Sequence, residues 1–238
     1  MVPDLAILIP VYNEGANIRA TLEHLYSQVT IPKRVCIVYD FDEDDTVPVV
    51  RELQARLPGL ELVRNQLGRG ALNAIRTGLR QVERGVAVVM MADQSDDLTV
   101  LPQMYEKARA GAMVVCASRY SRGGRQVGGP WLKGRLSWFA GWSLHVFAGV
   151  PTRDVTNSFK AYRKELFDAV TIESDGGFEI GLELTVKAFA LGYRIEEVPC
   201  VSNADRPAGT SRFRLWKWLP KYLRWYRYAL THRPGRAR

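Results

Sequence analysis

The chain has 238 residues, of which 47% are hydrophobic and 24% are charged. This balance is typical of a globular protein and excludes collagen, a coiled coil and an intrinsically disordered chain. The length suits one domain or two small ones. Lys and Arg outnumber Asp and Glu by 33 to 25, which gives a formal net charge of +8.

The excess positive charge is confined to the end of the chain. Residues 212–238 contain nine Lys and Arg side chains and no Asp or Glu, which leaves 24 basic and 25 acidic residues in 1–211. A basic nucleic-acid-binding surface over the whole protein is therefore a poor interpretation, and we expect no nucleic-acid partner. We divide the chain into a body, 1–211, and a basic tail, 212–238.

The cysteines and the apolar segments indicate the compartment in which the protein works. Cys36, Cys116 and Cys200 are far apart in apolar runs, which predicts buried thiols and neither a disulfide framework nor a metal site. No signal peptide is recognised at the start of the chain. The longest apolar segment, 138–150, is shorter than the roughly 20 residues that span a bilayer. These features predict a cytoplasmic body.

Short β-branched runs alternate with helical periodicity. The predicted strands are 6–9, 35–38, 60–64, 86–90 and 114–116, and the predicted helices are 14–28, 46–57, 71–82 and 99–110. Strands of continuous apolar residues separated by helices predict an α/β fold, with a parallel sheet covered on both faces. Residues 121–135 contain five glycines and little apolar periodicity, which predicts a mobile loop.

Polar segments follow three of the predicted strands, at 10–14, 40–45 and 93–97. In open α/β sheets, ligands bind at the carboxyl ends of the strands. We therefore expect these segments to meet at one edge of the sheet and to form the functional site.

The first two segments each admit two interpretations. Pro10 ends a strand, and Asn13 is a candidate helix cap. Either the free backbone amides that follow bind a nucleotide, or the segment only marks the change from strand to helix. Five carboxylates lie between positions 40 and 45, and most of them are explained by a solvated acidic turn. Asp40 is the exception, because its position at the strand end suits hydrogen bonds from a base or a ribose.

The third segment offers hard oxygen ligands after the most apolar strand. Asp93 is a candidate ligand for Mg²⁺ or Mn²⁺ bridging phosphates. Capping of the next helix by Ser95 or Asp97 is the alternative, and both functions are compatible. The Gly68-Arg69-Gly70 turn is only weak evidence for a phosphate cradle. Arginines on the predicted loops supply guanidinium groups suited to phosphate.

The order and spacing of the motifs are more specific than any one of them. They are IPVYNE at 9–14, DDT at 44–46, GRGA at 68–71, DQSDD at 93–97, SRY at 118–120, GG at 123–124, DVTNSFK at 154–160, FE at 178–179, EVP at 197–199 and RPAGTS at 206–211. Together they resemble the family 2 glycosyltransferases of GT-A fold, and within them the dolichol-phosphate mannose synthase-like group.

This resemblance implies a nucleotide-sugar donor with GDP-mannose favoured, Mg²⁺ or Mn²⁺, and a polyisoprenyl phosphate acceptor at a membrane surface. Its implied donor-binding residues are Pro10, Tyr12, Asn13, Glu14, Asp40, Gly70, Ala92 and Asp93, and its metal residues are Asp93, Ser95 and Asp96. The acceptor phosphate would contact Arg119, Arg135, Lys160 and Arg212, and the catalytic residues would be Asp93, Arg119, Arg135 and Arg206.

The sequence departs from the pattern of this group at three places. The usual Asp-x-Asp is Met91-Ala92-Asp93, and the paired Asp after the second strand is Tyr39-Asp40. The pattern Thr-Ser-Gly-Phe-Arg is TNSFK at 156–160. The first departure replaces a carboxylate by a thioether in the metal motif, and Asp96 is the candidate that assists Asp93.

The reaction implied by this resemblance needs no general base. A phosphate monoester has a second pKa near 6 and is largely a dianion at neutral pH. We expect Asp93 to hold the cation on the donor diphosphate and Arg119 and Arg135 to clamp the acceptor phosphate. Arg206 would bind the diphosphate or close its loop. Attack from the opposite face then inverts the anomeric centre in one step.

The tail has the pattern of a basic amphipathic helix. One arc of the helical wheel holds Leu215, Trp218, Leu219, Tyr222, Trp225, Tyr226 and Ala229, and the opposite arc holds Arg214, Lys217, Lys221, Arg224 and Arg227. This pattern predicts either an element at the membrane interface or a helix that packs its aromatic face on the body. Pro220 indicates a kink or a second helix start.

Two rival functions remain open from the sequence. One is a transferase that uses a UDP-sugar and a non-lipid acceptor. The other, motivated by Met91, is a non-catalytic membrane- or nucleic-acid-binding module on a degenerate transferase fold, whose tail aromatics would stack on bases. The oligomeric state is also open.

Overall fold

The computed structural model describes residues 4–203 and 215–234. Its strands are β1 Leu5–Pro10, β2 Arg34–Tyr39, β3 Leu60–Arg64, β4 Val86–Val89, β5 Val114–Ser118, β6 Arg125–Val127, β7 Lys160–Arg163, β8 Ile195–Pro199 and β9 Val201–Asn203. Its helices are α1 Gly15–Gln28, α2 Thr46–Gln54, α3 Ala71–Arg80, α4 Leu101–Arg109, α5 Trp131–Ser143, α6 Lys164–Ala169, α7 Ile180–Ala190 and α8 Leu215–Thr231. The predicted strands and helices of the first half are confirmed, with ends shifted by a few residues.

Seven strands form one sheet in the order β3-β2-β1-β4-β7-β5-β8. All neighbouring pairs are parallel except the two made by β7, which runs antiparallel to β4 and to β5. The sheet is therefore mostly parallel, as predicted. The carboxyl ends of β1 to β4 lie at one edge, where the polar segments follow them.

Two apolar layers cover the sheet, as β1 shows. Leu5, Ile7 and Ile9 face a cluster that includes residues of α1, α2 and α4, whereas Ala6 and Leu8 face a cluster that includes residues of α3, α7 and α8. All five side chains are at most 5% exposed. A strand covered on both faces needs apolar residues at every position, which explains the continuous apolar runs.

The glycine-rich range 121–135 contains regular structure, so its prediction as a loop is wrong. Residues Arg125–Val127 form β6, which pairs in parallel with β9, and α5 begins at Trp131. The sequence signal was weak because β6 is a short, mostly exposed strand whose partner lies over 70 residues away. This pairing joins the start of α5 to the segment after β8.

The end of α5 packs closely on the loop that precedes β7. A Cβ on Gly141 would lie 1.9 Å from the carbonyl oxygen of Arg153, so only glycine allows this approach. The contact brings the 152–157 loop beside α5. The helix continues through a wider turn, Leu144–Ala148, and ends at Gly149, which has a φ of 83°.

Helix α8 packs the aromatic side of its described residues on the body. Trp225 is 2% exposed and Ala229 is fully buried. The Trp225 indole donates to the Ser174 hydroxyl at 3.1 Å, and the Tyr226 hydroxyl donates to Ser143 at 3.0 Å. Of the two interpretations of the tail, packing on the body therefore holds for these residues. The boundary at 211/212 lies outside the described residues.

Within the two described ranges, no helix combines the length and the apolar character needed to cross a bilayer.

Candidate active site

The polar segments 10–14, 40–45 and 93–97 follow β1, β2 and β4, which are neighbours in the sheet. One hydrogen bond joins the first two segments directly, and another joins α1 to the residue before the third segment. The amide of Asn13 donates to Asp44 at 3.0 Å, and the Thr21 hydroxyl donates to the carbonyl of Ala92 at 2.7 Å. The three segments therefore lie side by side at the carboxyl edge of the sheet, as predicted.

The amides after β1 bind the protein itself. In addition to the Asn13 amide, the amide of Glu14 donates to the Thr46 hydroxyl at 2.9 Å. Asn13 has a φ of 52°, and it does not cap α1, whose first turn follows Glu14 without a side-chain cap. Asn13 is therefore not the cap of α1, and these two amides are bound within the protein, whereas a donor contact at 10–14 stays a prediction. Pro10 ends β1, and Tyr12 remains 44% exposed.

The acidic turn has a structural function that sequence analysis missed. Asp44 is 1% exposed and accepts the amides of Asn13 and Thr46, while Asp45 accepts the amide of Gly15 at 2.8 Å. These carboxylates satisfy amides at the start of both helices, where backbone donors lack partners within the helix. The turn thus fixes the β1–α1 loop against β2.

Asp40 ties the loop before α3 to the end of β2. Its Oδ1 accepts from the Asn65 amide group at 2.7 Å, and its Oδ2 accepts from the backbone amide of Gly70 at 2.8 Å. Gly70 has a φ of 125°, a conformation that favours glycine. Asp40 lies at the predicted edge, but its carboxylate positions the Gly68–Gly70 loop. Asn65, which follows β3 as Asp40 follows β2, was not predicted.

Aromatic side chains and a cation lie beside this loop. The Tyr12 and Phe41 rings meet edge to face, with centroids 5.6 Å apart at 68°. The Arg69 guanidinium lies over the Phe41 ring, with its Cζ 4.8 Å from the centroid. Neither Phe41 nor Arg69 was predicted as a site residue. Phe41 directly follows Asp40, and Arg69 directly precedes Gly70.

The β4–α4 loop is held by its own hydrogen bonds. The amide of Met91 donates to Asp96 at 2.9 Å, and the amide of Ser95 donates to Asp93 at 3.1 Å. Asp97 accepts the Thr99 amide at 3.2 Å and caps the short turn before α4. The capping interpretation is therefore confirmed for Asp97.

Asp93, Ser95 and Asp96 line the same cavity. Among the described residues, no group of three His, Cys, Asp or Glu is placed to hold a metal ion. Two carboxylates and a hydroxyl are nevertheless the hard oxygen ligands that suit Mg²⁺ or Mn²⁺ when substrate phosphates complete the coordination. The donor set fits a cation that binds together with a diphosphate. The Met91 thioether lines this cavity too.

The cavity has a volume of about 280 Å³, and four kinds of residue contribute to its lining. The acidic loop forms one wall, and Arg119 and Lys133 bring positive charge to another. Apolar and small residues complete it: Pro130, Gly134, Leu136, Ala140, Phe178, Leu219 and Tyr222. Hydroxyls of Ser137, Thr156, Ser158 and Ser202 line it as well. This arrangement suits a molecule with an anionic head and an apolar chain.

Arg119 is anchored by a carboxylate that sequence analysis did not assign. Its Nε and Nη2 donate to the fully buried Asp154 at 2.7 and 2.8 Å, and its Nη2 also donates to Ser137 and Thr156 at 3.1 Å. Burial opposes ionisation of Asp154, but the charge and hydrogen bonds of Arg119 hold the pKa of Asp154 below its ordinary value. Arg119 therefore lines the cavity with most of its donors already bound to the protein.

Lys160 does not reach the cavity, so its predicted contact with the acceptor phosphate is wrong. Its side chain is fully buried, and its Nζ donates to the carbonyl of Val155 at 2.9 Å. Burial lowers the pKa of Lys160. Helix α7 covers this side chain, since a Cβ placed on Gly181 would lie 3.4 Å from the Lys160 Nζ.

Arg135 is exposed on α5 and is not among the residues that line the cavity, whereas Lys133 is. Two residues along a helix lie on nearly opposite sides, so these cations point in different directions. Helical spacing is the signal that finds the correct face, because Lys133, Leu136, Ser137 and Ala140 follow the pattern i, i+3, i+4, i+7. Arg206 and Arg212 lie outside the described residues.

Comparison with known proteins decides the family. The model of glycosyl transferase family 2 matches residues 6–171. The chain belongs to glycosyl transferase family 2. It is 31% identical over 212 residues to the undecaprenyl-phosphate mannosyltransferase of Micrococcus luteus, which covers 86% of this chain and 85% of the relative.

Two further relatives of this glycosyltransferase have related names. The polyprenol monophosphomannose synthase of Mycolicibacterium smegmatis is 29% identical, over 87% of this chain and 79% of the relative. The dolichol-phosphate mannosyltransferase of Pyrococcus furiosus is 27% identical, over 92% of this chain and 62% of the relative.

Solved structures confirm the predicted GT-A fold. Glucosyl-3-phosphoglycerate synthase from Mycobacterium tuberculosis, in complex with Mn²⁺, UDP and glucosyl-3-phosphoglycerate, superposes with a TM-score of 0.67 at 15% identity, over 97% of this chain and 80% of that one. Residues 1–349 of TarS from S. aureus superpose with a TM-score of 0.60 at 16% identity, over 85% of this chain and 60% of that one.

Proposed function

We propose that this glycosyltransferase moves a sugar from a nucleoside-diphosphate sugar to a polyprenyl phosphate at a membrane surface. The observation that carries the proposal is the cavity, in which an acidic loop, a cationic wall and an apolar helix face meet. The three relatives, whose names specify mannose and polyprenyl or dolichyl phosphates, support the same substrates.

At the donor end, Asp93, Ser95 and Asp96 would hold a divalent cation together with the donor diphosphate. Such a cation, Mg²⁺ or Mn²⁺, stabilises negative charge on the leaving nucleotide when it is bound. Crystals of the structural neighbour glucosyl-3-phosphoglycerate synthase contain Mn²⁺, which supports a divalent ion of this kind. Asp96 would supply the carboxylate that Met91 lacks, because the Met91 amide holds its Oδ2 at 2.9 Å, beside the position of the missing side chain.

At the acceptor end, Lys133 and the hydroxyls of Ser137 and Thr156 contact the acceptor phosphate. Arg119 orients those hydroxyls through its 3.1 Å hydrogen bonds and adds a fixed positive charge. A phosphate monoester is largely a dianion at neutral pH, so attack on the sugar needs orientation and charge compensation. Attack on the face opposite the leaving diphosphate inverts the anomeric centre.

The polyprenyl chain leaves the cavity along α5, which we propose lies against the membrane. In the described ranges, eight of the thirteen exposed large apolar side chains lie between residues 131 and 147. Trp131 is 73% exposed and Phe139 is 52% exposed. Exposed Trp and Phe next to basic residues are typical of helices at the membrane interface. The positive charge of 212–238 adds attraction to anionic lipids.

A donor panel tests the reaction. The full chain is incubated with GDP-mannose, UDP-glucose or other UDP-sugars, Mn²⁺ and a polyprenyl phosphate, and labelled product is extracted into organic solvent. We expect extractable product, with GDP-mannose the preferred donor. Label that stays in the aqueous phase on a polysaccharide would support the non-lipid acceptor, and release of no nucleotide from any donor would contradict the proposal.

The variant Asp93→Asn tests the metal assignment. We expect transfer to fall at least about 100-fold, because the amide cannot supply the negative charge that the cation needs. Circular dichroism and thermal unfolding show whether the fold is retained. Full activity in a folded D93N variant would contradict the assignment.

Membrane contact through α5 is tested with vesicles that contain phosphatidylglycerol. Replacing Trp138 and Phe139, which are 47% and 52% exposed, by Ser should weaken co-sedimentation at least about tenfold. Leu191→Ser is the matched control, since Leu191 is 53% exposed at the end of α7. Equal loss of binding in both variants would show that the contact is not specific to α5.

A further inference from the structure

Glu197 begins the EVP motif at 197–199, to which the proposed reaction assigns no role. It follows Glu196 in β8, and neighbouring residues of a strand point to opposite faces of the sheet. Glu196 pairs with Lys107 of α4, whereas Glu197 binds the 152–157 loop. Glu197 is not among the residues that line the cavity. Any effect of Glu197 on the substrates therefore has to act through other residues.

One oxygen of Glu197 holds the start of this loop. Its Oε2 accepts the Thr152 hydroxyl at 3.0 Å and the backbone amide of Arg153 at 2.8 Å. Thr152 is fully buried, and its Oγ1 in turn accepts the backbone amide of Asp154 at 3.1 Å. On the other side, the carbonyl of Arg153 lies against Gly141 of α5, where a Cβ would not fit. The backbone of 152–154 is thus held between β8 and α5.

Asp154 connects this loop to the cavity. Its carboxylate accepts the backbone amide of Arg119 at 3.0 Å, in addition to the bonds from the guanidinium. Arg119 donates to the hydroxyls of Ser137 and Thr156, and all three residues line the cavity. A displacement of the 152–154 backbone therefore moves the guanidinium and both hydroxyls together.

We infer that Glu197 is a positioning residue for the acceptor phosphate. It fixes the 152–154 backbone, which sets the location of the Arg119 guanidinium and of the two hydroxyls proposed to contact the phosphate. Groups that bind a reacting molecule must be held to within about 0.5 Å, and a misplacement of about 1 Å can cost about 100-fold in rate. The inference rests on the proposed function, because it needs an acceptor phosphate at these hydroxyls. The bonds that start at Glu197 do not extend to Asp93, so donor binding should not change.

Three variants of the full chain test the inference. Glu197→Ala removes the acceptor of both loop bonds, whereas Glu197→Gln keeps one oxygen that can accept them. Glu196→Gln is the matched control, since Glu196 lies on the same strand but pairs with Lys107. With Mn²⁺, a polyprenyl phosphate and the donor that the wild type prefers, E197A should lose about 10- to 100-fold in kcat/KM for the acceptor. E197Q and E196Q should stay close to the wild type, and the KM for the donor should stay unchanged in all three.

Binding of a short polyprenyl phosphate, farnesyl phosphate, separates the acceptor site from the reaction. Calorimetry without a donor should show binding by the wild type and at least about tenfold weaker binding by E197A, while thermal unfolding shows that E197A is folded at the assay temperature. Thr152→Val interrupts the same connection one residue later, so it should cause the same selective loss whether or not E197A folds. Because both changes act through one loop, the double variant should lose less than the product of the two single losses.

The inference is overturned by unchanged acceptor kinetics in a folded E197A, by equal losses in E197A and E197Q, or by a donor KM that rises as much as the acceptor KM. Single losses that multiply in full would also overturn it. A wild type that binds farnesyl phosphate in a manner sensitive to E197A but transfers no sugar would support the inference and contradict the proposed reaction. Transfer to polyprenyl phosphate that E197A leaves unchanged would do the reverse, so the two failures are distinguishable.

Discussion

The Arg119–Asp154 pair provides the sharpest prediction for the energetics of the site. Asp154 is fully buried, and the Arg119 side chain is only 15% exposed. The variant Asp154→Asn keeps the size of the side chain but leaves a buried guanidinium without its counter-charge. Removing one partner of a buried ion pair costs about 3–5 kcal/mol. For a chain of this length each kcal/mol lowers Tm by about 2–4 °C, so we expect Tm to fall by roughly 6–20 °C.

Differential scanning calorimetry and urea unfolding measure this loss. The control is Glu52→Gln, which removes the counter-charge of Arg19 from a pair that is 39% and 61% exposed. Water screens such exposed pairs, so E52Q should leave Tm nearly unchanged. The double replacement of Arg119 by Met and Asp154 by Leu should be more stable than D154N, because it removes the isolated charge. A loss below about 1 kcal/mol in D154N would refute the reasoning.

The pH dependence supplies a second check on the same pair. The pKa of Asp154 is lower in the folded protein than its ordinary value, so its contribution to stability is complete above the ordinary carboxyl pKa of about 4 and is lost as the pH falls through the lower folded value. The stability difference between wild type and D154N should therefore be constant from about pH 8 to pH 5 and shrink only in stronger acid. A difference that changes between pH 6 and pH 8 would contradict the assignment.

Three further predictions concern separate parts of the molecule. Lys133→Ala should raise the KM for polyprenyl phosphate at least about tenfold, and Arg135→Ala should raise it less; the reverse order would assign the phosphate to Arg135. Asp44→Ala leaves two amides without a partner and should cost about 1–3 kcal/mol in urea unfolding, whereas Asp42→Ala, at an exposed position, should cost much less. Trp225→Ala should cost about 3–5 kcal/mol, because this side chain is 2% exposed, and an unchanged urea midpoint would show that α8 does not pack on the body.

The parallel strands β1, β2, β4 and β5 were predictable because they are apolar at nearly every position, whereas the parallel strand β8, with the sequence IEEVP, was not predicted. In β1, the five consecutive residues from Leu5 to Ile9 are all apolar, point alternately to the two faces of the sheet and are all buried. Strand β7 was not predictable in this way. Its four residues include Lys160 and Arg163, and it enters the sheet between β4 and β5 by antiparallel pairing. Burial of Lys160 depends on carbonyls that come close only in the folded chain.

The types of residue in the site were predictable from the sequence, but the hydrogen-bond partners of those residues were not. Arginines and carboxylates at strand ends mark the correct edge of the sheet, because the topology brings those ends together. Sequence does not show that Asp154, 35 positions away, takes up the donors of Arg119. Nor does it show that Asp40 binds the Gly70 amide across 30 positions. Long-range hydrogen bonds thus decide which polar groups remain available to a substrate.

The described part of the tail and α5 use their aromatic side chains differently. Trp225 and Ala229, from the aromatic arc of the tail, are used in packing, and Arg224 bonds the Glu173 carboxylate at 2.6 Å. The exposed aromatic surface belongs to α5, where Trp138 stacks on Trp142 with centroids 5.9 Å apart. On the proposed function, apolar insertion therefore comes from α5, and the basic tail contributes charge. Salt should then weaken vesicle binding of wild type and of the α5 variants by similar factors, because screening acts on the charge and not on the apolar contact.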